Sequence, residues 1–298
     1  MTDDMSASFQ QCVGGDDPGA PPVPTTSRVE LIQISYSDLG AFHQCPRRYY
    51  YEKRLRMGTL PDLATTAVRR GTLMHTLLEG ARDGRIDARQ AAALFAREQL
   101  ADPREQEALR RATQRVLDSP AYAEVSAGSD VRRERQFYLA LRDSVEPAAA
   151  SPGVAAGPAR FLKGYIDIQG TRPDGSLLIL DYKSGTRADV SEASYEDQAR
   201  CYALVGLADG HPAVEVRFIR PEVEVPATAG GDTADPTPQV FILGPYTRDD
   251  YDALEASLVA AIHDMEQTGP DSPASATDAF VCARCPVPRT ACPRAHRS

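Results

Sequence analysis

The chain has 298 residues, of which 42% are hydrophobic and 25% are charged, a composition typical of globular proteins. It has no run of about 18 apolar residues, so we expect no membrane-spanning helix and no membrane partner. The net charge of −9 argues against a protein that holds nucleic acid by a uniformly basic surface. The N-terminus lacks the basic and apolar regions of a secretory signal, and we therefore expect a cytoplasmic protein.

Residues 1–28 are rich in Asp, Gly, Pro, Ser and Thr, and we expect a disordered tail there, followed by one domain over residues 29–298. In chain order, the patterns predict a strand at 29–34, a helix from an N-cap at Ser37 to Tyr49, a helix at 69–78, a helical stretch at 87–117 within an insertion over about 80–120, a strand at 131–142 and a loop at 143–160. They then predict strands at 161–168 and 177–183 joined by a turn at Asp174-Gly175, a helix at 192–208, a strand at 213–220, a flexible insertion at 226–239, a strand at 240–244 and a helix at 248–266.

Positive charge is concentrated in three places, despite the acidic balance of the whole chain. The clusters are Arg47, Arg48, Lys53, Arg54 and Arg56; Arg69 and Arg70; and Arg132, Arg133 and Arg135. They could form a basic groove or be the solvated faces of helices, and the sequence favours neither interpretation.

Charged residues interrupt two otherwise apolar predicted strands at Asp167, Asp181 and Lys183. Buried charge is costly unless it is paired or binds a metal. Asp181 and Lys183 share a strand face, and a turn centred on residue 174 would place Asp167 opposite Asp181, where a divalent cation would relieve the repulsion between the carboxylates. A salt bridge between Lys183 and either aspartate explains the same residues equally well, and a register slip of one residue would separate them.

Four short motifs accompany these residues: GTLMH at 71–75, GYID at 164–167, DYK at 181–183 and QARCY at 198–202. In order and spacing, over roughly residues 35–292, they resemble the G-x-x-x-H, G-x-x-D, D/E-x-K and Q-x-x-x-Y motifs of the RecB-like branch of the PD-(D/E)xK nuclease superfamily. The resemblance implies an α/β fold with a restriction-endonuclease-like core, in which a central mixed β-sheet is flanked by helices.

The resemblance also implies roles for individual residues. Asp167, Asp181 and Lys183 would be catalytic, and the metal, Mg²⁺ or Mn²⁺, would be bound by His75, Asp167, Asp181 and the backbone carbonyl of Tyr182.

Other residues are less distinctive when they are taken singly. Gln198 and Tyr202 lie four residues apart on one helix face, which packing alone would explain, whereas the resemblance implies that they contact the active site or DNA. His75 alone would more often be an ordinary core or surface histidine. Glu79 and Glu134 do not stand out from solvated charges.

Cysteine spacing suggests a second metal site. Cys282 and Cys285 form a C-x-x-C pair followed by Cys292, and a fourth ligand could come from Cys45. The segment around Cys45 resembles the opening of RecB-like nucleases with an iron–sulfur cluster, which implies a 4Fe–4S cluster on these four residues that joins the two ends of the domain. The last spacing, C-x6-C, is one residue longer than expected, and zinc on the same ligands or free thiols are the alternatives. We predict no ligand role for Cys12 or Cys201, and His296 is a weak candidate for a substitute ligand.

The resemblance implies a metal-dependent DNA exonuclease that acts on single-stranded DNA or DNA ends in repair or recombination. Two alternatives remain at this stage: a nuclease that processes DNA ends in CRISPR adaptation, with CRISPR integration proteins as partners, and a nuclease-fold subunit that mainly binds DNA or scaffolds a complex. A helicase would be a separate partner.

Overall fold

A computed structural model of the protein describes residues 31–57, 61–142, 159–187, 190–225, 237–276, 279–283 and 285–292. The predicted tail at 1–28 lies outside these residues, as do most of the predicted loop at 143–160 and of the predicted insertion at 226–239.

In the described part of the chain, the first strand is followed by a run of helices and then by three strands, with further helices and strands after them. The helices are α1 (Tyr36–Gln44), α2 (Pro46–Tyr49), α3 (Pro61–Gly80), α4 (Ala88–Arg97), α5 (Pro103–Leu117), α6 (Pro120–Ala127), α7 (Glu196–Ala208), α8 (Tyr251–Glu266) and α9 (Ala279–Ala283). The strands are β1 (Leu31–Ile34), β2 (Ser129–Ala140), β3 (Ala159–Thr171), β4 (Leu177–Tyr182), β5 (Ala213–Val225) and β6 (Thr237–Thr247). A π-helical turn, Tyr50–Arg54, follows α2, and short 3₁₀ segments precede α7 and α8.

The strands form a mixed sheet in the order β1-β3-β4-β5-β6, with β2 also paired to β3. The β1–β3 and β4–β5 pairs are parallel, and the β2–β3, β3–β4 and β5–β6 pairs are antiparallel. No helix in the described part of the chain is both long and apolar enough to cross a bilayer.

Helices cover both faces of this sheet, which explains the apolar run of β4. Leu177 and Ile179 point into a core shared with α1, α7 and α8, whereas Leu178 and Leu180 point into a second core shared with α3 to α6. A strand buried on both faces needs apolar residues at successive positions rather than at alternate ones. The α/β fold with a mixed, helix-flanked sheet is therefore the predicted one.

The predicted register of the β3–β4 hairpin is confirmed. Ile168 pairs with Leu180 and Gln169 with Ile179, so the turn is centred on residue 174, as predicted. Gly175 adopts a positive φ of 85° there, a conformation that glycine reaches without steric cost.

Several helix boundaries differ from the prediction. Helix α3 begins at Pro61 rather than at residue 69, and the helix predicted through Tyr49 is divided into α1 and α2. The N-cap of α1 is Ser35 rather than Ser37, because Ser35 and Asp38 form a reciprocal capping box. The stretch predicted at 87–117 is two helices: Asp87 caps α4, and Asp102 followed by Pro103 begins α5. Helix α6 was not predicted.

Candidate metal-binding and catalytic site

The two hairpin aspartates lie where β3 and β4 part. Asp167 and Asp181 lie one position beyond the last strand pair, Ile168–Leu180. There, Oδ2 of Asp167 accepts a hydrogen bond of 2.7 Å from the backbone N–H of Tyr182. Asp167 is 6% exposed and Asp181 is 2% exposed. The structure therefore brings two carboxylates together in a region where charge is poorly solvated.

His75 on α3 and Glu134 on β2 complete a group around Asp167. Nδ1 of His75 lies 3.4 Å from Oδ1 of Asp167 and 3.4 Å from Oε1 of Glu134. One ligand atom from each of the three residues falls within 4.8 Å of the others. The ring of His75 also packs edge-on against Tyr182, with centroids 5.7 Å apart, which fixes its direction.

The pKa values of His75 and Asp167 indicate that the carboxylates around them lack a compensating positive charge. Burial alone would lower the pKa of His75, but its hydrogen bond to Glu134 and the charges of Asp167 and Asp181 raise that pKa to about 9. Burial raises the pKa of Asp167 well above its usual value, and the charge of Asp181 raises it further. A divalent cation would relieve both effects, because it replaces a bound proton as the counter-charge.

Asp181 lies on the α7 side of the hairpin. Its Oδ2 accepts hydrogen bonds from Nε2 of Gln198 at 2.7 Å and from the hydroxyl of Tyr202 at 2.8 Å. Its Oδ1 is buried and is ion-paired with Nζ of Lys183 at 2.6 Å. Such a buried oxygen has a free lone pair, and with the imidazole and carboxylates nearby the donor set fits Mg²⁺ or Mn²⁺.

Lys183 is held by Asp181 and by a group of three aromatic rings, which we call the lysine box. Its Nζ lies 5.7 Å, 5.8 Å and 5.4 Å from the ring centroids of Tyr36, Tyr195 and Phe218. Burial is the largest single effect on Lys183 and would lower its pKa, but the charges of Asp181 and Asp167, the Tyr36 hydroxyl and the hydrogen bond to Asp181 together raise that pKa, so the ammonium stays charged.

The segment after Lys183 is tied down by charged side chains from α3 and β5. The backbone N–H of Gly185 donates to Oε2 of Glu222 at 2.5 Å, and Arg70 forms an ion pair with the same carboxylate. Arg220, 2% exposed, donates to the carbonyl of Arg187. These contacts hold the chain where it leaves the hairpin.

Most of the predicted site residues are thus in contact with another member of the site. Asp167 contacts His75, and Asp181 contacts Lys183, Gln198 and Tyr202. The backbone N–H of Tyr182 contacts Asp167, and its ring contacts His75. A metal-ligand role for its carbonyl stays a prediction.

Glu134 and the lysine box were not among the predicted site residues. Glu134 sits among arginines in a strand, a pattern typical of a solvated face, and only the packing of α3 against the sheet places it near His75.

The four predicted cysteine ligands line one cavity. Cys45, Cys282, Cys285 and Cys292 surround it together with Val287 and other residues. Burial raises the pKa of the Cys285 thiol, and the neighbouring Cys45 and Cys292 sulfurs add to that rise.

Side-chain hydrogen bonds of Arg47 tie the segment of Cys45 to the C-terminal part of the domain. Arg47, in α2, donates from Nε to the carbonyl of Ser272 and from Nη1 to the carbonyl of Ala291, next to Cys292, both at 2.7 Å. Cys201 is buried in α7, and Cys12 and His296 lie outside the described residues.

Comparison with known proteins gives a match for nearly the whole chain. The family model of the PD-(D/E)XK nuclease superfamily matches residues 33–293. Two solved structures are similar. One is the crystal structure of SSO0001, with 13% identity and a TM-score of 0.44, where the match covers 85% of this chain and 82% of that one. The other is named "Putative exonuclease", from Eubacterium rectale, with 12% identity and a TM-score of 0.46, covering 80% of this chain and 82% of that one. A search of curated proteins finds no match.

Proposed function

Because this chain belongs to the PD-(D/E)XK nuclease superfamily, we propose that it is a metal-dependent DNA nuclease, specifically an exonuclease of the RecB-like branch that acts on single-stranded DNA or DNA ends in repair or recombination. The observation that carries this proposal is the meeting of Asp167 and Asp181 beside Lys183. A salt bridge alone would account for Lys183 and one aspartate. It would not account for a second buried carboxylate with a histidine and a glutamate against it.

The residues that would hold Mg²⁺ or Mn²⁺ are His75, Glu134, Asp167 and Asp181, with the carbonyl of Tyr182 as a further ligand. When bound, such a cation lowers the pKa of a coordinated water and neutralises charge that develops on the scissile phosphate. Tyr182 would also orient the Asp167 carboxylate, since its backbone N–H donates a hydrogen bond to that group.

Lys183 would act on the water or on the phosphate. Its ammonium is held between Oδ1 of Asp181 at 2.6 Å and Oε1 of Gln198 at 2.7 Å. A charged donor in this position can orient the attacking water and stabilise negative charge on the phosphate oxygens in the transition state. Because the ammonium is largely removed from solvent, its interaction with that charge is stronger than at an exposed site.

Digestion of labelled DNA tests the proposal. Wild type, Lys183→Ala and the control Lys53→Ala are incubated with Mg²⁺ or Mn²⁺ and with linear single-stranded, linear double-stranded and circular single-stranded DNA. We expect wild type and Lys53→Ala to degrade linear DNA, and Lys183→Ala to be inactive. Cleavage of the circle would exclude a strict need for ends, and equal cleavage by all three proteins would refute the assigned centre. Any helicase that supplies single strands would be a separate protein.

The second proposal concerns the cysteines, which we infer hold a 4Fe–4S cluster. A shared metal centre is supported by the four cysteines, from segments far apart in the sequence, that line one cavity. The choice of an iron–sulfur cluster over zinc rests on the resemblance of the Cys45 segment to the opening of cluster-containing nucleases. Anaerobically purified protein should be brown, absorb near ~400 nm and contain about four irons per chain. Colourless protein with stoichiometric zinc would refute the cluster.

A further inference from the structure

An open patch of β2 and β3 continues directly from the metal-binding group. On β3, Tyr165 lies two positions before Asp167 and Lys163 lies two positions before Tyr165, so the three share one strand face. In the register of the two strands, Gln136 pairs with Tyr165 and Tyr138 pairs with Lys163. We call these four residues, Gln136, Tyr138, Lys163 and Tyr165, the tyrosine platform.

The two tyrosines are exposed although the other face of the same strands is fully packed. Tyr165 is 53% exposed and Tyr138 is 58% exposed, whereas Phe137 is 4% exposed and Leu162 and Ile166 are fully buried. The alternation places the buried residues in the core and leaves the aromatic rings in solvent. Large aromatic side chains in solvent therefore need an explanation other than core packing.

Hydrogen bonds hold the platform in place. Nε2 of Gln136 donates to the hydroxyl of Tyr138 at 2.8 Å. The backbone carbonyl of Tyr165 accepts a hydrogen bond of 2.6 Å from the hydroxyl of Tyr202, which also contacts Asp181. Nζ of Lys163 lies 3.0 Å from Oε1 of Gln33 at the far end of the platform. Tyr165 is thus fixed to the same network as the catalytic acid.

We propose that the tyrosine platform binds the bases of single-stranded DNA whose scissile phosphate lies at the metal site. This inference rests on the proposed nuclease function and adds the residues that would bind the bases of its substrate. Residues two apart on a strand are about 7 Å apart, and Tyr138 lies diagonally across from Tyr165 at about 7–8 Å. Exposed aromatic rings at this spacing can stack on unpaired bases, while Lys163 supplies a cation for the phosphates. Bases inside a duplex do not offer their faces in this way.

Equilibrium binding tests the platform. Tyr165→Ala, Tyr165→Phe, Tyr138→Ala and the control Ile242→Ala are each made in the Lys183→Ala background, to keep the DNA intact. Ile242, 53% exposed on β6, is a matched exposed apolar strand residue. Fluorescence anisotropy is measured with oligothymidylate, with an abasic strand of the same length and with a duplex.

We expect each Tyr→Ala change to weaken oligothymidylate binding at least about fivefold, as loss of one base–aromatic stack does. Tyr165→Phe and Ile242→Ala should stay within about twofold, because the phenyl ring still stacks. Binding of the abasic strand and of the duplex should be unchanged. Equal loss on the abasic strand or the duplex overturns the proposal, and so does unchanged binding of all three DNAs.

Cleavage by wild type separates this inference from the proposed function. If wild type degrades no DNA, the nuclease assignment fails, while base-dependent binding through Tyr165 and Tyr138 is still decided by anisotropy. If wild type is active, Tyr165→Ala with Lys183 intact should raise the KM for single-stranded DNA about fivefold or more with little change in kcat. A fall in kcat alone would refute a role in binding.

Discussion

Gln198 donates a hydrogen bond of 2.7 Å from its side-chain amide to Oδ2 of Asp181, and both side chains are buried. The other end of the same amide, Oε1, accepts from Nζ of Lys183, also at 2.7 Å. Because the amide is planar and rigid, one side chain sets the separation of the acid and the lysine. The hydroxyl of Tyr202, one helical turn further along α7, lies 2.8 Å from Oδ2 of Asp181 and 2.6 Å from the carbonyl of Tyr165, so its single proton is shared between the two acceptors.

Replacing Gln198 should therefore misplace two catalytic groups at once. We expect Gln198→Ala to lower the rate of DNA cleavage about 10- to 100-fold, the usual effect of removing a group that orients metal ligands. The control is Gln106→Ala, whose amide bonds to a backbone carbonyl in the helical region. Rates are compared at saturating Mg²⁺ for protein shown to be folded by its melting temperature. A Gln198→Ala protein as active as Gln106→Ala would contradict this role.

The lysine box gives a second prediction, at Tyr195. Its ring lies 5.8 Å from Nζ of Lys183 and stacks on Phe218 with centroids 4.6 Å apart. A desolvated cation–π contact is worth about 1–2 kcal/mol, so Tyr195→Leu should slow cleavage about 5- to 30-fold. Tyr195→Phe keeps the ring and should stay within about twofold of wild type. Equal rates for the two variants would show that the ring does not position Lys183.

Local sequence signals predicted the hairpin well. The Asp174-Gly175 turn set the register, and the apolar run of β4 indicated a strand buried on both faces. The pattern of Leu73, Met74, Leu77 and Leu78 likewise gave the buried face of α3. In each case, the residues that determine the structure lie within one element or one turn.

What could not be predicted depends on packing between distant segments. Glu134 has a positive φ of 47°, an irregularity that strand alternation does not encode, and its meaning depends on where α3 places His75. The lysine box combines rings from three separate segments of the chain. The break between α4 and α5, in contrast, could have been predicted from the sequence, since Asp102-Pro103 is a typical helix start.

Loss of Cys45 should affect metal content and stability together. We expect Cys45→Ser protein to lose iron and to melt at a lower temperature, because a cluster would tie α1 to the segment that carries Cys285 and Cys292. Cys201→Ala is the control for iron content, since Cys201 is buried in α7 away from the cavity. Iron is measured per chain and unfolding by circular dichroism. Unchanged iron and an unchanged melting temperature in Cys45→Ser would refute the assignment.

Gly170 and Gly40 provide a matched pair for the fold itself. A Cβ at Gly170, on β3, would overlap the backbone carbonyl oxygen of Val125 at the end of α6, and backbone cannot easily move away. We expect Gly170→Ala to lower the free energy of unfolding by about 1–3 kcal/mol, the usual cost of overpacking. A Cβ at Gly40, within α1, meets nothing within 4 Å, so Gly40→Ala should raise that free energy by about 0.5–1 kcal/mol through better helix propensity. Urea unfolding measures both. Changes of the same sign would mean that α6 does not approach β3 this closely, because only steric overlap makes the two substitutions differ in direction.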